Sequence, residues 1–335
     1  MNKEPCITGG KWFASGESNI FRLSRNYINL FNSIIFKHYD LFSEKDFEPR
    51  RSHFPKASKH VMIALLAWIL LAGPAVAQTP ARIISLAPNL TEILYDLGLG
   101  EQVIAVSRYC NYPPEVKTKP TIGGMSNPSL EAIVAMRPEM VVLTDDGNPR
   151  QIERRLRQVG IRTHVFRAKR LADLPGETRA LGTALGVAAR AERSAARIES
   201  VIRRHSEKTQ RSRGVAPRKA LFVVQPDPLI VAGPGTAIDD VLQLLGIRNI
   251  AANAKTQYPR YSLEEVIRQS PDIIFMGMMQ DAVMDQSRRL LGRLRQVEAV
   301  RLGRVHYIGD PLFRLGPRIT EGISEMAGML EERTK

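Results

Sequence analysis

The sequence predicts an α/β protein of two similar lobes with parallel sheets, joined by one long helix. Three observations carry this. A passage occurs twice: Ser129-Leu130-Glu131, then Ile133-Val134, Pro138-Glu139 and the apolar run Met140-Val141-Val142 return as Ser262-Leu263-Glu264, Val266-Ile267, Pro271-Asp272 and Ile273-Ile274-Phe275, at identical spacing. An echo precedes each copy, Glu92 to Gly98 and Asp240 to Gly246. Short apolar runs alternate with helical stretches on both sides of residues 173–211, which carry no strand signal. Two related halves imply a cleft between them, a preferred place for small ligands.

Residues 1–58 show no organising period and, up to residue 60, hold seven of the eleven Phe of the 335-residue chain. They read either as a disordered leader or as an upstream stretch translated from a start codon placed too early. Lys59-His60 precede the apolar run Val61–Leu71, the breaker Gly73-Pro74 and the small-residue site Ala75-Val76-Ala77. That is the layout of a signal peptide over 59–77, cleaved near Ala77-Gln78. The alternative, a membrane anchor, needs about 20 apolar residues.

From residue 78 onward the elements follow in order. Arg82–Leu86 is a short buried strand. Asn89-Leu90-Thr91-Glu92 opens a helix that Gly98 closes. Val103–Val106 is a strand, followed by the Pro-rich loop Tyr109–Pro114. Leu130–Met136 is a helix with Asn127, Pro128 and Ser129 at its start, Met140–Leu143 a strand, Gln151–Val159 a helix and Thr163–Phe166 a strand. Ala188, Ala191, Ala195, Ile198 and Ile202 then recur at three- and four-residue spacing, one apolar stripe of a helix. A helix of about 25 residues spans nearly 40 Å, the length of a lobe. Gly214 and Pro217 end it, and alternation restarts at Ala220–Val224. The expected domains are an N-terminal lobe at 78–183, a connecting helix at 184–211 and a C-terminal lobe at 212–335. A single helical connector resists large hinge motion, so small closure on ligand binding is expected.

From Gln78 on, 38 Lys+Arg face 28 Asp+Glu. The arginines are spread along helical stretches without interleaved aromatics, as solvated helix faces, so no nucleic-acid partner is expected. Cys6 and Cys110 are the only cysteines, so the chain beyond the signal keeps a single thiol and no internal disulfide. No His or Cys pair has metal-ligand spacing, so no protein-built metal site is expected. His164 and His306 fall in strands and His205 on the long helix, the first two read as satisfied core residues and the third as exposed. No Gly-x-Ser-x-Gly elbow, His-Glu-x-x-His or phosphate loop is present, so no enzyme activity is expected. Gly233-Pro234-Gly235-Thr236 lacks a following Lys and suits a turn opening a helix at Ala237.

The run Tyr109-Cys110-Asn111-Tyr112-Pro113-Pro114-Glu115, with Gly123-Gly124-Met125 and Leu130–Pro138, resembles the periplasmic cobalamin-binding proteins of ABC importers, within the helical-backbone metal-receptor group that also binds haem and ferric siderophores. The resemblance spans residues 80–333 and includes Pro226–Pro228, Gly233–Gly235, Tyr258-Pro259, Ser262–Glu264 and Phe313–Arg318. It implies two Rossmann-like lobes braced by a rigid helix, no intrinsic cofactor, cobalamin or another corrinoid as transported ligand, and an ABC permease dimer as partner of a periplasmic monomer. Haem or a ferric siderophore is the alternative ligand. By motif, Glu131 and Glu264 correspond to the family's permease-docking acids. Two equivalent carboxylates suit a two-fold permease, although both also fit as ordinary first-turn acids.

A corrin ring is wide and mostly apolar, edged by neutral amides, and wants aromatic faces with little charge. Tyr112, Tyr258 and Phe313 resemble the family's ligand-packing aromatics, each with a lobe-edge seal as the plain alternative. Tyr109 and Arg314 stand in the same loops. Met125 reads as core or pocket floor, Cys110 as small buried packing or a ligand contact. Gly98 to Ser129 is 31 residues against 16 from Gly246 to Ser262, and the extra length is the Tyr109–Tyr112 loop. Tyr112 and Tyr258 are expected on opposite walls of one groove. Arg108, Arg260, Arg314 and Arg318 favour an anionic ligand. Against haem, the stretch Gly123–Pro128 has neither the Tyr nor the His that haem-binding relatives place before the Ser-Leu-Glu helix.

Overall fold

In the computed structural model the described residues are 79–211, 216–277 and 283–331. The expected leader, signal peptide and cleavage point lie outside them. The N-terminal lobe runs β1 (Ile83–Ser85), α1 (Pro88–Asp96), β2 (Val103–Val106), α2 (Leu130–Ala135), β3 (Met140–Thr144), α3 (Arg150–Gln158), β4 (Arg162–Phe166) and α4 (Leu174–Ala184). Helix α5 (Ala188–Arg211) connects it to β5 (Lys219–Pro226), β6 (Leu229–Val231), α6 (Ala237–Leu244), β7 (Arg248–Asn249), α7 (Leu263–Gln269), β8 (Ile273–Gly277), α8 (Val283–Arg293), α9 (Glu298–Arg301), β9 (Val305–Ile308) and α10 (Ile319–Glu331).

The first sheet is parallel in the order β2-β1-β3-β4. The second repeats it: β5 pairs in parallel with β7 and β8, and β8 with β9. Strands β3 and β8 are buried at every residue. Helices on both faces explain why the sequence there is a continuous apolar run. One strand breaks the all-parallel expectation. Leu229–Val231 folds back after Asp227-Pro228 and pairs antiparallel with the end of β5. The repeated Ser-Leu-Glu segments open α2 and α7 alike. The hydroxyls of Ser129 and Ser262 accept from the backbone N–H of Ala132 (3.2 Å) and Glu265 (3.1 Å).

The connecting helix starts at Ala188, because Gly186 at φ +71° ends the preceding helical segment. Ala191, Ala195 and Ile198 bury the expected stripe, while Ala188 is exposed and Ile202 half-buried. Helices α4 and α5 pack closely at Gly182, where a Cβ would fall 2.1 Å from Ala191 Cβ. This sets two effects against each other. Alanine gains about 1 kcal/mol of helix propensity over glycine, but overpacking costs about 1–3 kcal/mol. The clash is with a short, inflexible side chain, so Gly182→Ala is expected to lower the urea midpoint; a raised midpoint would contradict this packing. Among the described residues no helix is long and apolar enough to cross a membrane.

Candidate functional site

The loops that leave the C-terminal ends of the parallel strands meet between the lobes, where open α/β sheets place their ligands. They enclose a cavity of about 630 Å³, within the usual range for small-molecule sites. Its N-terminal wall carries Arg108 and Tyr109 after β2, Met125, Asp145 and Asp146 after β3, and Lys169 after β4. Its C-terminal wall carries Gly235-Thr236 at the start of α6, Gln257 and Tyr258 before α7, and Asp310, Phe313 and Arg314 after β9.

Tyr109 and Tyr258 are 57% and 54% exposed, one on each lobe, both facing this space. Large exposed aromatics inside a concavity mark a surface meant to be covered. Desolvation by the surrounding protein, then the negative Asp146, push the Tyr258 phenol above its ordinary value. Phe313 is half-buried and doubles as core: its ring meets Phe222 edge-on at 5.6 Å. It lies over Gly277, where a Cβ would come within 2.2 Å of its ring. The Met125 carbonyl accepts from Asn148 Nδ2 (2.8 Å), and its thioether lines the floor.

Tyr112 does not join them, which corrects the expectation that it shares a groove with Tyr258. Its ring lies under the Arg318 guanidinium, 3.7 Å from the centroid, and faces a separate cavity lined by Tyr95, Glu115 and Glu321. The cause is local. Cys110 is buried and pinned by the hydroxyls of Thr91 (3.1 Å) and Ser107 (3.2 Å). Asn111 is hooked to Asp310 (3.1 Å) and Arg314 (2.8 Å). The chain thus passes through the inter-lobe seam between the two tyrosines, leaving one on each side. Burial pushes the Cys110 thiol up, and it does not line the inter-lobe cavity.

Arg314 is the most heavily engaged cation of the site. It donates through Nη1 to Glu92 Oε1 (2.7 Å) and Asn111 Oδ1, and through Nη2 to Asp310 (3.0 Å). Glu92 is 2% exposed, also within 3.5 Å of Arg318, and its Oε2 has no hydrogen-bond partner. Burial pushes its carboxyl above the ordinary value, against the pull of the two arginines. Lys169 pairs with Asp145 (3.3 Å). The cavity lining therefore balances: Arg108, Lys169 and Arg314 against Asp145, Asp146 and Asp310.

Motif spacing does not single out Asp145, Asp146 and Lys169, although the rule that ligands sit at strand C-termini points to them. Glu92 reads in the sequence as a helix opener only; its repeat partner Asp240 is the available signal.

Glu131 and Glu264 are exposed in the first turns of α2 and α7. The backbone N–H of Glu264 and the Ser262 hydroxyl hold the Glu264 carboxyl below its ordinary range. Arg289 and Arg293 share its shallow cavity.

His164, half-buried on the edge strand β4, has its Nε2 unpartnered, and burial pushes the imidazole below its ordinary value. It is not the satisfied core residue expected. His205 is half-buried, and His306 packs 5.8 Å from Phe275. Among the described residues no group of three or more His, Cys, Asp or Glu could hold a metal ion.

Residues 83–312 match the sequence profile of the periplasmic binding protein family. The chain is 32% identical over 222 residues to the vitamin B12-binding protein of Pectobacterium atrosepticum, covering 65% of this chain and 80% of that one. Among solved structures, the periplasmic vitamin B12 binding protein BtuF of Vibrio cholerae aligns at 25% identity and a TM-score of 0.67, over 76% of this chain and 98% of that one. The periplasmic heme-binding protein RhuT from Roseiflexus aligns at 28% identity and a TM-score of 0.67, over 76% and 99%.

Proposed function

The chain belongs to the periplasmic binding protein family, and we propose that it captures a cobalt corrinoid between its lobes, outside the cytoplasm, and hands it to an ABC permease. The observation that carries the ligand class is the cleft itself: two opposed exposed tyrosines around a charge-balanced lining. A ring edged by neutral amides can lie between aromatic faces and exchange hydrogen bonds with Asp145, Asp146 and Gln257 without burying net charge. Similarity to B12-binding relatives supports the same reading. Tyr109, Met125, Tyr258, Phe313 and Arg314 are the proposed contacts. Glu131 and Glu264 are the proposed docking acids. The segment 59–77 is the proposed export signal, and 78–183, 184–211 and 212–335 are the proposed lobes and brace.

Haem is the second reading, favoured by the similarity to RhuT and by Arg108, which could meet a propionate. Two features oppose it. The other two cations of the cleft are already ion-paired. The stretch Gly123–Pro128 ahead of α2 holds neither a Tyr nor a His to ligate iron.

The test is calorimetric titration of the chain from Gln78 onward with cyanocobalamin, hemin and a ferric hydroxamate. Saturable one-to-one binding of cyanocobalamin, tighter than hemin, is expected. Binding of hemin alone would transfer the assignment to haem.

A further inference from the structure

The two lobes hold each other by symmetry-related acids. Glu92 stands six residues before Gly98, and Asp240 six residues before Gly246, so the two are repeat equivalents on α1 and α6. Glu92 takes Arg314 and Arg318 from the segment that follows β9, the last strand of the opposite lobe. Asp240 takes Arg170 from the segment that follows β4, the last strand of its own opposite lobe. Arg170 Nε lies 2.8 Å from both carboxylate oxygens, its Nη2 also reaches Oδ1, and the Leu171 N–H donates to Oδ2 (2.8 Å). The same acid position on each lobe thus grips an arginine of the other.

A single helical connector resists large hinge motion but leaves the two bodies small rocking movements about its ends. Two further attachments away from the helix axis remove that freedom. Exposed ion pairs contribute little on their own, but the Glu92–Arg314 pair is largely shielded on both sides, at 1% and 14% side-chain accessibility, and Arg170, itself 47% accessible, closes on an Asp240 carboxylate that is 11% accessible. Asp240 takes several donors, which fixes direction as well as distance, and Glu92 takes a hydrogen bond from Arg314 with Arg318 as a second cation within 3.5 Å. Arg314 lines the cavity, and Lys169 and Ala237 line it beside Arg170 and Asp240, so the clasps stand at the cleft's edges.

We propose that Glu92 and Asp240 are a symmetry-related pair of inter-lobe clasps, positioning residues that fix the cleft width and the separation of Glu131 and Glu264 before any ligand arrives. This goes beyond the corrinoid reading and does not require it, because its readout uses the ligand-free protein. Spin labels at Gln158→Cys and Arg295→Cys, both exposed and one on each lobe, report the inter-lobe distance by double electron–electron resonance in the whole chain carrying Cys6→Ser; Cys110 is buried and stays in place. With both clasps intact, one narrow distance peak is expected. The pair Glu92→Gln and Asp240→Asn should broaden it and add a longer-distance population. Asp240→Asn alone should broaden it less, and the conservative Asp240→Glu should restore the narrow peak. A folded double variant with the parent distribution overturns the proposal. If the double variant does not fold, an unchanged peak in Asp240→Asn overturns it equally, and a broadened one supports it. Loss of corrinoid binding in the parent protein would refute the proposed function and leave this result standing.

Discussion

Replacing Tyr109 and Tyr258 together by alanine should abolish tight ligand binding while leaving the fold intact. Each ring stands more than half exposed on its own lobe and faces the same cavity. Neither contributes much to the core, so truncation should shift stability by only about 0.5 kcal/mol. In the complex each ring would be covered on one face, and losing such an anchor costs about 1–3 kcal/mol of binding, roughly 5- to 150-fold. The double variant should therefore lose about 30-fold to 2 × 10⁴-fold in affinity for cyanocobalamin, read by calorimetry, with an unchanged urea midpoint. Tyr112→Ala is the internal control. It should keep full affinity and lose only the stacking under Arg318, about 0.5–1 kcal/mol of stability. Weakened binding in Tyr112→Ala, with none in Tyr258→Ala, would reverse the placement of the site.

The second large effect is expected in transport rather than binding. Glu131→Ala with Glu264→Ala should leave ligand affinity intact and abolish uptake in cells that carry the permease. Both carboxylates are exposed on repeat-equivalent helix starts and neither lines the cleft. Charged groups at an interface rim set orientation and encounter rate, and two of them fix a pseudo-symmetric body on a two-fold partner. Either single variant should reduce uptake partially. Glu264 stands beside Arg289 and Arg293, which weaken its field, so Glu131→Ala should be the more harmful of the two. Wild-type uptake by the double variant would remove these residues from docking.

The lobes were legible because the chain states them twice. The Ser129 and Ser262 caps, the Pro138 and Pro271 breaks and the apolar runs that became β3 and β8 each repeat at fixed spacing, and such short-range signals survive tertiary context. The strand Leu229–Val231 was not legible. It is three residues long and owes its pairing to the Asp227-Pro228 turn rather than to any pattern of its own. Within the site, Tyr109 and Tyr258 were visible as loop aromatics, but the side of the loop each faces was not. Spacing says nothing about where Cys110 will be pinned, and that anchor sends Tyr109 into the cleft and Tyr112 out of it. Glu92 shows a different limit. In a helix whose inward positions are mostly apolar an acid reads as a surface residue, and the arrival of Arg314 from 222 positions away, with Arg318 beside it, makes its burial tolerable.

A structure of the protein bound to cyanocobalamin tests the central claim most directly. The corrin ring should lie between Tyr109 and Tyr258, its amides meeting the Asp145-Asp146 side of the cleft, with the Glu92–Arg314 and Asp240–Arg170 pairs intact. A ring seated beside Tyr112 and Arg318, or anywhere else outside the inter-lobe cleft, would contradict it.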